Sequence, residues 1–410
     1  MTAADYDLLI IGGGMVGASL ACALAGQGLR MGLVEAAPLT VNDSPGYDDR
    51  SIALAEGTRR IFQTLGLWEA LAPDATPIRQ IHVSERGSPG FAHLDSGEEG
   101  VAALGYVAEA RLIGKALLAK LPKLPGVELL CPARLETVRI EPDAACITLR
   151  CPDERTMALR VSLLVAADGA HSLVREQLGI AALRWAYGQQ AVIANVSPAR
   201  SHENVAYERF TPDGPAALLP LSANRCAVVC TVDDADEQAV MALDDAGFIA
   251  LLQERFGDRL GPFLRVGRRQ AWPLFLLKAR EQVRSRLALI GNAAHTLHPI
   301  AGQGFNLGIR DVAALAEVIA DAWRMGEDIG ALKALNRYAD WRRWDQRQTV
   351  LFTDALNRLF AHPLPPLRIA RTLGLLAFDL SPPLKRRFAR QAMGLDGRLP
   401  RLARGLALTA

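Results

Sequence analysis

A six-residue apolar run, Tyr6 to Ile11, leads straight into Gly12-Gly13-Gly14-Met15-Val16-Gly17, and this junction constrains the fold more than any other segment. The run suits a strand buried on both faces of a parallel sheet. Gly12, Gly14 and Gly17 stand in G-x-G-x-x-G spacing, and Ala18 to Gln27 reads as an Ala-rich helix. The first glycine permits a tight turn, the second lets a pyrophosphate approach the backbone, and the third lets helix and strand pack closely. N–H groups at the helix start, aligned with its dipole, favour phosphate charge. A second strand, Arg30 to Val34, ends at Glu35, eighteen residues past Gly17. An acid there accepts hydrogen bonds from a ribose diol and repels a 2′-phosphate. The alternative is a glycine-rich turn beside a surface acid. Strand, loop, helix, second strand and acid in one order favour a dinucleotide-binding βαβ unit.

Half of the 410 residues are hydrophobic, enough for a large core divided among two or three domains. A formal charge of +2 argues against nucleic acid as a main partner. Cys22, Cys131, Cys146, Cys151, Cys226 and Cys230 form no C-x-x-C pair, which points to reduced thiols and a cytoplasmic setting. The stretch Met1 to Asp7 lacks a basic n-region, so a signal peptide is not expected, and no apolar run of about 18 residues is present for a spanning helix. From Ala361 onward nine Lys and Arg side chains oppose two Asp, a net +7 interleaved with Leu, Ile and Phe. Two readings stand for that region: a helical cap with a solvated basic face, or attachment to an anionic membrane surface or an acidic partner.

Between these ends the pattern alternates. Leu104 to Leu121 reads as a helix after a Gly105-Tyr106-Val107 turn, with strands at Val127–Leu130, Leu135–Ile140 and Cys146–Leu149. Val161 to Ala167 is an apolar run ending in Asp168-Gly169, at a place where ligands collect on the carboxyl edge of such sheets. Asp-Gly is also an ordinary turn pair, and both readings stay open. Residues 185 to 280 change character: Gln190–Val196, Asn204–Thr211, Ala216–Leu221 and Arg225–Val232 are strand-like and separated by Pro and Gly turns, as in an inserted antiparallel sheet. The chain returns through a buried strand, Arg286 to Ile290, into a Gly-rich segment at 291–311 and a helix from about Phe305 to Met325. The N–H dipoles at that helix start can stabilise developing negative charge.

Taken in order, these segments resemble the class A, single-component flavin aromatic hydroxylases. Tyr207-Glu208-Arg209-Phe210-Thr211-Pro212-Asp213-Gly214-Pro215, followed by Ala217 to Pro220, and Asn292-Ala293-Ala294-His295-Thr296-Leu297-His298-Pro299-Ile300-Ala301-Gly302-Gln303-Gly304-Phe305-Asn306 are similar to the ubiquinone-biosynthesis hydroxylases. Within that group the second segment is similar to the 2-polyprenyl-6-methoxyphenol hydroxylases. The resemblance covers residues 5 to about 345.

It implies an α/β fold: a Rossmann-like FAD-binding domain of para-hydroxybenzoate hydroxylase type built from 1–75, 100–182 and 272–345. An inserted antiparallel-sheet substrate domain would comprise 76–99 and 183–271, and a helical basic region 346–410. By the same resemblance Gly12, Gly14, Gly17 and Glu35 would hold the ADP half of FAD. Arg50, in Asp48-Asp49-Arg50-Ser51, would lie along the cofactor, and Asp168 and Gly169 would serve the pyrophosphate region. Asn292 stands where most of the superfamily has an Asp on the ribitol chain, keeping a hydrogen bond without its charge assistance. Pro299, Gly302, Gly304, Phe305 and Asn306 would border the flavin. The implied reaction is ring hydroxylation of a polyprenylated methoxyphenol in ubiquinone biosynthesis, with NAD(P)H as transient reductant and dioxygen, by way of a flavin hydroperoxide. His298, beside Pro299, is the candidate proton relay, and His295 is assigned a structural hydrogen bond. No metal is expected, since the H-x-x-H pair lacks further ligands. Tyr207, Arg209, Leu218 and Pro220 are the candidate substrate contacts, with sheet surface as the alternative for Tyr207 and Arg209. Other ubiquinone-biosynthesis proteins and the inner face of a membrane are the expected partners, and the oligomeric state stays open. The alternatives are a hydroxylase of another ring position or of a small soluble phenol, and a non-catalytic flavin-binding scaffold.

Overall fold

The computed structural model describes residues 4–39, 50–361 and 364–408. The expectations for Met1 to Ala3 and for Asp48 and Asp49 lie outside them. The fold is α/β, with a Rossmann-like parallel core, a second large sheet and a helical C-terminal region.

The parallel core follows from the apolar runs. Tyr6–Ile11 sits between Thr156–Ala166 and Met31–Val34, with Val127–Leu130 outside one neighbour and Leu287–Leu289 outside the other, all parallel. Leu8, Leu9 and Ile10 are fully buried because both sheet faces are covered. Leu8 and Ile10 pack against Met15–Leu24 and Gln303–Arg324 on one face. Leu9 and Ile11 meet the core on the other face, which includes the Arg134–Ile140 and Ala145–Arg150 strands.

The second sheet runs in the order His295–Thr296, Gln270–Ala279, Ala182–Pro198, Arg225–Asp233, Gly214–Leu221, Val205–Thr211, Gln80–Glu85, Phe91–Asp95. It is not wholly antiparallel as expected: Val205–Thr211 pairs in parallel with Gln80–Glu85, in the register Tyr207 to His82. A small antiparallel sheet of Ser51–Ala55, Gly105–Glu109 and Thr76–Ile78 is hydrogen-bonded to neither and packs on the second.

Three boundaries differ from expectation for identifiable reasons. The first helix begins at Met15, not Ala18, because Gly14 takes an extended N-cap conformation and Gly17 falls inside the first turn. Gly105–Glu109 is a strand, with the helix confined to Ala110–Lys120, because Tyr106 and Val107 pair with Leu54 and Ala53. One helix, Leu332–Ala361, runs unbroken through the boundary expected at 345/346. Beyond it lie Pro365–Asp379 and Pro382–Ala392. The basic C-terminal charge is partly internal: Arg371 pairs with Glu85, Arg401 with Glu317 and Asp321, and Lys385 with Glu98 and Asp379. No helix among the described residues is long and apolar enough to cross a membrane.

Candidate cofactor and active site

The glycine loop has the local geometry that its spacing demands. Gly12 has φ +105°, and a Cβ there would stand 2.5 Å from the Ala167 carbonyl oxygen. A Cβ on Gly17 would stand 2.0 Å from the Gly12 oxygen, so only glycine permits the helix to start this close to the strand. Around Gly14 nothing lies within 4 Å of the equivalent position. Gly14 caps the helix without a side chain, so the first-turn N–H groups face this open cradle with no capping acceptor. Gly13 donates its N–H to Glu35 Oε2 at 2.8 Å, and Ala37 donates to Oε1 at 2.9 Å. A carboxylate has about four acceptor positions, so Glu35 sets the loop and keeps capacity for a diol.

The segment nearly 280 residues away arrives at the same place. Val16, in the first turn, packs against Gly291 and Gly308: a Cβ on either would meet Val16 at 3.1 or 3.4 Å. Gly291 has φ +57°, which favours glycine at the turn leaving the Leu287–Leu289 strand. Asn292 is exposed beside it. Asp168 lies at the end of the neighbouring strand, its backbone N within 2.9 Å of a Cβ built on Gly12. Its Oδ2 accepts from Val174 N–H at 3.2 Å, whereas its Oδ1 is buried and has no partner. Burial pushes this carboxyl above its usual range, opposed by donors from Ser172 and Val174. Gly169 follows with φ +84° and open space around it. The open Gly14 cradle and the unpartnered Asp168 oxygen fit a phosphate-bearing, hydroxyl-bearing ligand such as FAD.

The helix Gln303–Arg324 starts from Gly302, which is left-handed (φ +60°) and where a Cβ would crowd that of Ala53 at 3.1 Å. The buried Asn306 amide makes four bonds: it accepts from Ala55 N–H and Thr58 Oγ1, both at 2.8 Å, and donates to the Ala53 and Gly302 carbonyls, both at 2.7 Å. Its side chain therefore clips the Ser51–Ala55 strand to the helix start, and its contribution to a cofactor site is to position neighbours. Phe305 packs edge-on to Phe62 at 6.2 Å, Gly304 has open space, and Pro299 precedes the Ile300–Gly302 turn. Arg50 places its guanidinium 4.7 Å from the centroid of Trp272.

The two histidines part ways. His295 Nε2 meets Asp311 Oδ2 at 2.5 Å, and Asp311 Oδ1 accepts from Arg342 Nε at 2.7 Å and Gln346 Nε2 at 2.9 Å, all buried. His298 stands edge-on to Tyr187 at 5.1 Å, its Nδ1 accepting weakly from Ile300 N–H at 3.4 Å and its Nε2 buried without a partner. Burial lowers its pKa to about 4, so it is neutral at pH 7. An unfolded histidine protonates near 6.5. His298 therefore contributes stability that is fully present above about pH 6.5 and is lost as pH falls towards about 4. Melting curves of the FAD-free protein should show that decline, and His298→Leu should flatten it; equal slopes would contradict the assignment.

The candidate substrate contacts fall on the sheet face turned away from the Gly302–Asn306 helix start. Alternation along Val205–Thr211 and Gly214–Leu221 places Tyr207, Arg209, Leu218 and Pro220 on the side of the sheet that packs under Phe248, Leu252 and Phe256. Tyr207, Arg209 and Leu218 line a cavity of about 190 Å³ there with His82 and Arg259. The opposite face carries Ala206, Leu219 and Ala227, which pack with Ala53 and Val107 and so adjoin the Gly302–Asn306 helix start. Half-buried Ile193, Ala217 and Val229 share that face, paired across neighbouring strands. The sequence does not single them out, because both faces of this hairpin are apolar and the period-2 pattern does not choose between them.

A family model described as an FAD binding domain matches residues 5–350. The chain is 42% identical over 405 residues to the ubiquinone hydroxylase UbiL of Rhodospirillum rubrum, spanning 98% of this chain and 93% of that protein. It is 34% identical over 401 residues to the 3-demethoxyubiquinol 3-hydroxylase of Escherichia coli, spanning 96% and 100%. The solved structure of p-nitrophenol 4-monooxygenase PnpA from Pseudomonas putida matches with a TM-score of 0.78 at 23% identity, over 96% of this chain and 98% of that one, which shows the fold. The chain is thus an FAD-dependent monooxygenase and belongs to the FAD-binding-domain family of class A flavin hydroxylases.

Proposed function

We propose that this protein hydroxylates the ring of a polyprenylated methoxyphenol in ubiquinone biosynthesis, with FAD bound and NAD(P)H as transient reductant. The observation that carries the reading is the apolar sheet face on which Ala206, Leu219 and Ala227 pack with Ala53 beside the Gly302–Asn306 helix start and which continues through Ile193, Ala217 and Val229. The near-full-length similarity to proteins named as ubiquinone hydroxylases supports the substrate class.

When bound, FAD supplies reduction by NAD(P)H and activation of dioxygen for transfer of one oxygen atom to the ring. The chain's own residues then have distinct tasks. Gly12, Gly14 and Gly17 bring backbone N–H groups to the pyrophosphate, Glu35 accepts from the ribose, and Asp168 offers its free oxygen nearby. Asn292, Pro299 and the Gly302–Phe305 turn border the flavin, and the dipole of the Gln303–Arg324 helix favours negative charge on it. Ile193, Ala217, Leu219 and Val229 exclude water from the ring and orient it by contact. His298, neutral and with an unpartnered Nε2, is retained as the proton-relay candidate. The division into 1–75, 100–182 and 272–345 for FAD, with 76–99 and 183–271 for substrate, is part of the same proposal.

Incubation of a 2-polyprenyl-6-methoxyphenol with the FAD-loaded protein, NAD(P)H and isotope-labelled dioxygen should add one labelled oxygen para to the phenol, read by mass spectrometry. Label at another ring carbon would favour the second reading, for which the similarity to a 3-demethoxyubiquinol 3-hydroxylase speaks. Unchanged phenol with no oxidation of NAD(P)H would overturn both.

A further inference from the structure

The Pro365–Asp379 helix is built inside out. Seven residues fall on one side at helical spacing, Pro366, Ile369, Ala370, Leu373, Gly374, Ala377 and Leu380, and all are exposed and carry no polar side chain. Ile369, Leu373 and Leu380 are 63, 60 and 82% exposed. Arg371, Thr372 and Asp379 of the same helix turn inward. Arg371 donates to Glu85 Oε1 at 2.6 Å and to the Leu359 carbonyl at 2.8 Å, Thr372 Oγ1 meets Ser88 Oγ at 2.5 Å, and Asp379 accepts from His93 N–H at 2.8 Å. These bonds fix the helix rotation, so the apolar side faces out by construction. Contiguous exposed apolar surface of this kind marks an interaction site.

The surroundings say what would cover it. Leu384, 57% exposed, continues the apolar surface into the next helix, and Arg386, Arg387 and Arg390 follow it, all exposed. Arg386 and Arg387 form no ion pair with a described residue. Apolar side chains beside unpaired cations match the layering of an anionic bilayer surface, acyl chains under charged headgroups. We propose that Ile369, Leu373, Leu380 and Leu384 insert at the surface of an anionic lipid leaflet while Arg386 and Arg387 bind its headgroups. This inference does not rest on the hydroxylation reading.

Co-sedimentation of the full-length, FAD-loaded protein with vesicles tests it. Vesicles of phosphatidylcholine mixed with phosphatidylglycerol should retain the protein, vesicles of phosphatidylcholine alone should retain much less, and added salt should release it. Leu373→Asp and, separately, Arg386→Glu with Arg387→Glu should each weaken retention by about tenfold or more, as removal of buried apolar area or of near-surface charges requires. Both sites are exposed, and unchanged melting temperature and flavin absorbance would show the variants folded. Failure of the wild type to bind the mixed vesicles, or equal binding by Leu373→Asp, would overturn the proposal. So would a dimer in light scattering that Leu373→Asp dissociates, because the covering partner would then be a second copy of the chain.

Discussion

Gly14→Ala should leave the protein as stable as wild type and yet weaken FAD binding by roughly ten- to a hundredfold, a loss of about 1.4–2.8 kcal/mol. The added methyl meets nothing within 4 Å, and Gly14 already has an ordinary negative φ of −62°, so the folded chain accommodates it. What it fills is the cradle in which phosphate oxygens approach the first-turn N–H groups. Gly17→Ala makes the control, since its methyl would lie 2.0 Å from the Gly12 carbonyl oxygen, a backbone atom that moves only if the turn opens. That variant should lose about 1–3 kcal/mol of stability together with FAD. Thermal melts of the FAD-free proteins and fluorescence titration with FAD separate the two. Unaltered affinity in Gly14→Ala would mean that the pyrophosphate does not sit on this loop.

Asp311→Ala should be the most destabilising single change near the site, at about 3–5 kcal/mol. The carboxylate is fully buried and receives His295, Arg342 and Gln346, so alanine would leave His295 and Gln346 without their acceptor and the buried Arg342 guanidinium with Asp345 as its remaining carboxylate. Burial alone would raise the Asp311 carboxyl, but His295 and Arg342 outweigh it and hold the group at about 2. An unfolded Asp titrates near 3.9. The stabilisation is therefore present above about pH 3.9 and is lost as pH falls through about 2. Denaturant titrations at pH 7 and in acid should show a large wild-type advantage at pH 7 that shrinks in acid. A loss under 1 kcal/mol at pH 7 would mean that Asp345 alone satisfies Arg342.

How much of this was readable in the chain depends on whether one segment carried the information. The glycine loop, its strand and Glu35 were legible because turn geometry, helix dipole and burial act within thirty residues. The 291–311 segment was legible only through resemblance. What brings it to Val16 is the pairing of Leu287–Leu289 with Thr156–Ala166, a long-range register that no local pattern encodes. The orientation of the Tyr207–Pro220 hairpin was not legible, since Ala206 and Leu219 on one face are as apolar as Leu218 and Pro220 on the other. Asn306 illustrates a different difficulty: its residue type suits a ligand contact, yet four protein groups use its amide. In the Pro365–Asp379 helix the sequence shows a basic, Leu-rich stretch but not its rotation, which Arg371 and Asp379 set by turning inward.

The order of strands in the parallel core also bears on how the protein comes off the ribosome. Thr156–Ala166 is an interior strand whose outer neighbour, Leu287–Leu289, is encoded some 120 residues later. At roughly 5–20 residues per second that neighbour follows by about 6–24 s. Throughout this interval the edge through Leu164 to Ala166 has no partner strand, and the Val16–Gly291–Gly308 contact does not exist. The flavin pocket is therefore a late product of synthesis, and an apolar strand edge of this length needs shielding until the chain returns to close it.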